Sequence, residues 1–197
     1  MTLVNRPAPD FKANAVMADG SFQQIKLSDY KGQYVLLFFY PLDFTFVCPS
    51  EIIAHDHRVK EFEARGVQVI GVSIDSQFSH FAWRSTPIEK GGIGPVRFPL
   101  VADVNHEITR AYGVEHQDSV AFRATFLIDK AGVVQSATVN NLPLGRNVDE
   151  ALRLIDALQF TEAHGEVCPA GWKKGEAGMK ATAEGVADYL AKHGTQL

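Results

Sequence analysis

Two apolar runs, residues 34–40 and 67–74, frame the first part of the chain. Each is short and rich in β-branched or aromatic residues, which predicts buried strands. Between them, over residues 52–65, apolar positions recur at helical spacing, and Gly66 stands where a helix C-cap belongs. Strand, helix, strand in that order predicts a parallel pair joined by a right-handed crossover. Residues 76–84 read as a helix, 91–95 as a Gly-Gly-Ile-Gly-Pro loop, 98–101 as a short strand and 105–112 as a helix. Strands over 121–128 and 133–139 flank Asp129-Lys130-Ala131-Gly132, a hairpin signal. Asn147 followed by Glu150 marks a helix start, with Ala151, Leu152, Ile155 and Leu158 on its apolar face. Residues 1–32 read as a polar lead-in of short strands, with turns at Asp19-Gly20 and over 29–32.

The last part changes character. Residues 165–178 carry four glycines and one proline around Cys168, a composition that predicts a mobile arm, followed by a short helix over 181–193. The expected organisation is an α/β body, residues 1–164, and a C-terminal arm, residues 165–197. At 197 residues and 46% hydrophobic, the chain can bury a substantial core. A net charge of -4 without a basic stripe argues against a nucleic-acid partner. No apolar stretch is long enough to span a bilayer, and the N-terminal Met1-Thr2-Leu3-Val4-Asn5-Arg6-Pro7 lacks an apolar signal core. Two cysteines make neither a disulfide framework nor a zinc cluster, so no metal or cofactor is expected and a cytoplasmic setting is.

The chemistry centres on Cys48, where the first core strand hands over to a helix. Backbone N–H groups at a helix start lack intrahelical partners, and a thiol there is biased toward thiolate, the nucleophilic form. Pro49 disfavours helical geometry at Cys48 itself, which would ease unwinding. With Cys48 on a fixed element and Cys168 on the arm, a two-thiol redox cycle is expected, through a sulfenic acid and then a disulfide. A lowered thiol pKa alone gives only a ~30-fold gain in thiolate, about 2 kcal/mol, so donors aimed at the reacting oxygens must supply more. Thr45 offers a hydroxyl, with helix N-cap as its ordinary alternative role, and an arginine is the expected second donor.

Pro41-x-x-x-Thr45-x-x-Cys48 is similar to the active-site motif of the peroxiredoxins, and Val167-Cys168-Pro169 to the arm of their 2-Cys class. Nearly the whole chain resembles that class in the form of the bacterial alkyl hydroperoxide reductase C proteins, with matches at Phe39–Ile52, Gly71–Ser76, His80–Trp83, Phe98–Asp103, Phe122–Asp129 and Leu144–Arg146. The resemblance implies a thioredoxin-like fold, with a central mixed β-sheet flanked by helices. It implies Cys48 as peroxidatic and Cys168 as resolving cysteine, Arg123 contacting thiolate and peroxide, Thr45 bonding the substrate, and Pro41 screening the pocket. Glu51 and Arg146 would hold Arg123. It further implies peroxide substrates, a dithiol reductant protein, and a homodimer in which the neighbouring copy supplies Cys168, extended in some members to a ring of five dimers. Easily over-oxidised members carry Gly-Gly-Leu-Gly and Tyr-Phe; Gly91-Gly92-Ile93-Gly94 and Tyr189-Leu190 here imply intermediate sensitivity.

Two other functions fit less well. A thioredoxin-type disulfide reductase needs a Cys-x-x-Cys after the first core strand, which Cys48 lacks. A chaperone or scaffold oligomer would not need Cys48 at all. His55 lies on the apolar stripe Cys48, Ile52, His55, Val59, Phe62. It stands about 10 Å along the helix from Cys48, too far to act as its base, so a packed or dimer-facing histidine is expected.

Overall fold

The computed structural model describes residues 2–195; Met1, which opens the N-terminal reading, and residues 196–197, which end the expected arm, lie outside them. Internal contacts divide the chain into two compact units, one up to Val148 and one from Asp149 onward.

The first unit is built on β3 (Tyr34–Phe39), whose six residues are all buried. β4 (Val67–Ser73) runs parallel to it, from Tyr34 opposite Val67 to Phe39 opposite Val72. β1 (Lys12–Val16), β2 (Phe22–Lys26), β5 (Leu100–Ala102), β6 (Arg123–Ile128) and β7 (Val134–Asn140) complete a seven-stranded sheet in the order β2-β1-β5-β4-β3-β6-β7. β3, β4 and β5 are parallel; β1, β2, β6 and β7 pair antiparallel, so the sheet is mixed. Residues 12–26 are therefore part of the main sheet, because Ala15 and Val16 pair with β5 and bury against the core. The β6–β7 hairpin forms as expected: Asp129 accepts from the Ala131 and Val133 N–H groups and fixes the turn.

The helix begins at Cys48, where the sequence places its start, but it is broken. α1 spans Cys48–His57 and α2 Val59–Glu63, with Arg58 between them at φ −98, ψ 3. The apolar spacing carries through the break, so Cys48, Ile52, His55, Val59 and Phe62 are all buried. α3 (Gln77–Ser85) is capped by Ser76, whose hydroxyl accepts from Ser79 N–H, and α4 (Glu107–Ala111) follows β5. α2 packs on β4, and α3 on β1 and β5. Gly71 makes room for close packing: a Cβ there would meet Leu100 Cδ2 at 2.9 Å and the Phe38 ring at 3.0 Å, and one of these side chains would have to shift.

The second unit comprises α5 (Val148–His164) from its second residue on, the segment after it and α6 (Ala183–His193). The glycine-rich segment folds back on α5. Val167 and Met179 exchange two backbone hydrogen bonds of 2.9 Å, and Trp172 is buried with its ring 4.8 Å from that of Phe160. A Cβ on Gly178 would come within 2.6 Å of the Phe160 ring. At that position the glycine serves close approach, a role that composition alone does not reveal.

Candidate active site

Cys48 is the first residue of α1 and is fully buried. The helix begins there despite Pro49, because a proline in the first turn gives up an N–H that has no intrahelical partner. One turn on, Glu51 lies on the same face. Arg123, the first residue of β6, points one guanidinium nitrogen at both: its Nη1 donates to Cys48 Sγ at 3.4 Å and to Glu51 Oε2 at 2.7 Å. Its Nε donates to the Leu142 carbonyl at 2.6 Å.

Arg146 completes the arrangement. Its backbone N–H and Nε donate to Glu51 Oε1 at 2.9 and 3.0 Å, and its Nη2 to Glu51 Oε2 at 2.9 Å. Its Nη1 donates to the carbonyls of Phe39 and Ala124. The register shows why those carbonyls are free. The β3–β6 ladder ends at Phe38 opposite Thr125, so the next facing pair, Phe39 and Ala124, is spanned by the guanidinium. Burial lowers the Arg146 pKa from its ordinary value, and the Glu51 carboxylate opposes that shift.

His55 contributes no charge. It is 1% exposed, stacked on Phe38 at 4.4 Å between ring centres, and donates from Nδ1 to the Glu51 carbonyl at 2.7 Å. Burial, reinforced by Arg146, lowers its pKa to about 4. The buried cluster thus holds two cations, Arg123 and Arg146, and one anion, Glu51. One positive charge is left over, and a thiolate on Cys48 would neutralise it. A lone buried charge is costly, so this balance favours a sulfur that reacts as an anion.

Pro41 is buried and Thr45 half-buried in the loop between β3 and α1. The N-cap position is Val47, without a side-chain cap, so Thr45 does not cap the helix. Its hydroxyl donates to the Leu42 carbonyl at 2.9 Å, which leaves its lone pairs for a substrate O–H. With its hydrogen engaged in this way, the Thr45 hydroxyl is left as an acceptor toward the pocket. Cys168 lies in the second unit, half-buried. Its thiol donates to the Ala157 carbonyl of α5 at 3.5 Å, with Thr161 Oγ1 at 3.8 Å. Both cysteines are free thiols. The sequence reading missed the carbonyls of Phe39, Ala124 and Leu142, since a backbone acceptor leaves no mark in residue type. Asp43 and His80, inside the Phe39–Ile52 and His80–Trp83 stretches, likewise carry no local pattern that singles them out.

The chain is similar to known proteins over almost its whole length. The AhpC/TSA family matches residues 4–137, and the C-terminal domain of 1-Cys peroxiredoxin matches residues 157–192. Peroxiredoxin-2 of Macaca fascicularis is 56% identical over 191 residues, 96% of each chain. Alkyl hydroperoxide reductase C of Helicobacter pylori is 56% identical over 197 residues, covering 99% of this chain and 100% of that one. The reduced 2-Cys peroxiredoxin of Plasmodium vivax superposes with a TM-score of 0.95 at 52% identity, over 97% of this chain and 100% of that one. This chain, with its mixed thioredoxin-like sheet and two free cysteines, belongs to the AhpC/TSA family and is a thiol-dependent peroxidase of the 2-Cys peroxiredoxin type.

Proposed function

We propose that Cys48 is the residue that cleaves the peroxide. Its thiolate attacks one peroxide oxygen, the O–O bond breaks, and the leaving oxygen takes a proton to depart as water or an alcohol. Cys48 is left as a sulfenic acid. The Arg123 N–H that now donates to sulfur is within reach of an oxygen bonded to that sulfur, and would stabilise charge as the O–O bond lengthens. Thr45 would orient the peroxide by accepting its O–H, Pro41 would keep water from the pocket, and Glu51 with Arg146 would hold Arg123. The observation that carries this reading is the single Arg123 nitrogen shared between Cys48 and Glu51.

In the second step the Cys168 thiolate attacks the sulfenic sulfur, hydroxide leaves as water, and a disulfide forms. A protein dithiol then reduces it, restoring both thiols. We assign Cys168 to a second copy of the chain, giving an obligate homodimer that can close into a ring of five, and cytoplasm as the compartment, where unpaired thiols persist.

Two variants test the assignment. Cys48→Ser should abolish peroxide consumption in a coupled assay with a dithiol donor. Cys168→Ser should consume one peroxide per protomer and form a trappable sulfenic acid, yet lose turnover and the disulfide-linked dimer. Full turnover by either variant refutes the role given to that cysteine.

A further inference from the structure

A second buried polar cluster holds the loop that leads into Cys48, and the steps above make no use of it. Tyr40, Asp43 and His80 are 0%, 7% and 0% exposed. Asp43 Oδ1 accepts from the Tyr40 hydroxyl at 2.9 Å. Its Oδ2 accepts from the Ser79 hydroxyl and faces His80 Nδ1, both at 2.8 Å. The Tyr40 hydroxyl also lies 3.3 Å from His80 Nδ1. The Asp43 N–H donates at 2.9 Å to Asp75 Oδ2, which takes a second bond from the Ser73 hydroxyl at 2.7 Å. The other imidazole nitrogen, His80 Nε2, faces the Val101 carbonyl at 3.1 Å. A carbonyl only accepts, so the Val101 contact is met by an Nε2–H, and Nδ1 is directed at the Asp43 carboxyl.

The anchor points are regular elements: His80 and Ser79 on α3, Val101 in β5, Ser73 at the end of β4. What they hold is a loop with no regular structure of its own. Asp43 stands two residues from Pro41 and two from Thr45. Between Asp43 and Thr45, Phe44 has φ +53, a left-handed conformation that is strained for a residue with a side chain. Such a conformation persists where the surroundings over-determine it, and those surroundings cluster at functional sites.

We propose that His80 is a positioning residue for peroxide reduction: through Asp43 it fixes the loop over 41–45 so that Thr45 and Pro41 stay in register with Cys48. The inference rests on the roles given above to Cys48 and Thr45. A merely structural histidine–aspartate pair would stabilise the fold without any special dependence on Thr45, and that difference is measurable.

The experiment is a double-mutant cycle on the full-length reduced protein. The second-order rate of Cys48 oxidation by hydrogen peroxide is followed by tryptophan fluorescence; the Trp83 ring lies 5.7 Å from that of Phe44, so this loop has a local reporter. His80→Gln should slow oxidation about tenfold with Thr45 present and less than about twofold in a Thr45→Val background. Ser79→Ala, which removes one donor to Asp43 and is the milder change, should show the same pattern with a loss of roughly threefold. Alkylation of Cys48 by iodoacetamide, which does not use Thr45, should change less than about twofold. An equal loss in both Thr45 backgrounds, or an equal slowing of alkylation, overturns the proposal. If His80→Gln does not fold, Ser79→Ala decides by the same criterion. Should Cys48→Ser be inactive while both variants keep the parental rate, the role of His80 fails and that of Cys48 stands. Peroxide consumption by Cys48→Ser would refute the underlying assignment instead.

Discussion

Glu51→Gln is the most informative single change at the site. Glu51 Oε2 receives Arg123 Nη1 at 2.7 Å and Arg146 Nη2 at 2.9 Å, while Oε1 receives the Arg146 N–H and Nε. Glutamine keeps one oxygen, which can serve one of these pairs, but its NH₂ group must then face the donors of the other. Two guanidiniums are left buried without their carboxylate. Removing one partner of a buried ion pair costs about 3–5 kcal/mol, and the retained amide oxygen places the expectation at the low end, roughly 3 kcal/mol. For a domain of this size that is a fall in Tm on the order of 6–12 °C. The rate effect is separate. Loss of one oriented donor lowers a rate about 10²–10³-fold, but Arg123 keeps its 2.6 Å bond to the Leu142 carbonyl and is only partly released. Peroxide oxidation of Cys48 should therefore slow by roughly 10–100-fold, read by stopped-flow fluorescence on reduced protein. Alkylation by iodoacetamide supplies the control. The variant surrounds the sulfur with more positive charge, so that reaction should not slow. A variant that loses thermal stability yet keeps the parental peroxide rate within twofold would refute the claim that Glu51 aims Arg123.

Three further outcomes follow from other parts of the molecule. His55 has a folded pKa of about 4 against an ordinary value near 6.5, so the unfolded state takes up its proton first. Stability should be full above about pH 6.5 and fall by about 3 kcal/mol as pH drops toward 4; urea titrations of the parent and of His55→Phe should show that this slope goes with the histidine. Gly92→Ala should lower Tm by several degrees, because its Cβ would lie 1.9 Å from the Thr86 carbonyl oxygen, a backbone atom that cannot swing aside. Mass spectra of Cys48 across a peroxide titration should show sulfinic acid only well beyond stoichiometric peroxide; its appearance near one equivalent would contradict the reading of the Gly91–Gly94 loop and Tyr189-Leu190.

The sequence was most legible where burial acts on both faces of an element. β3 is buried at every residue, so its run of apolar residues admits few other readings, and β4 follows the same logic. β1 and β2 were seen only as short strands in a lead-in, since nothing local in five residues says that the partner is β5, some 85 positions away. The break at Arg58 was hidden because the apolar stripe keeps its spacing across it. The resemblance named Cys48, Arg123, Glu51 and Arg146, and the geometry brings these four together in one connected hydrogen-bond network. The sense of the Thr45 bond could not be foreseen, because it depends on a carbonyl three residues back in an irregular loop.

The buried arginines show why the site sits where it does in the sheet. Two desolvated guanidiniums need more acceptors than one carboxylate supplies, and in the middle of a sheet free carbonyls occur where a ladder stops. β3 and β6 stop pairing just before Phe39 and Ala124, which are the carbonyls that Arg146 takes, and Arg123 is the next residue of β6. The end of the sheet therefore meets the hydrogen-bonding needs of the cations without adding negative charge. The remaining positive charge is left for the group that α1 brings in at its first turn, Cys48. An additional carboxylate near Arg123 would have satisfied the same donors, but it would have removed the imbalance that makes an anionic sulfur the favourable occupant.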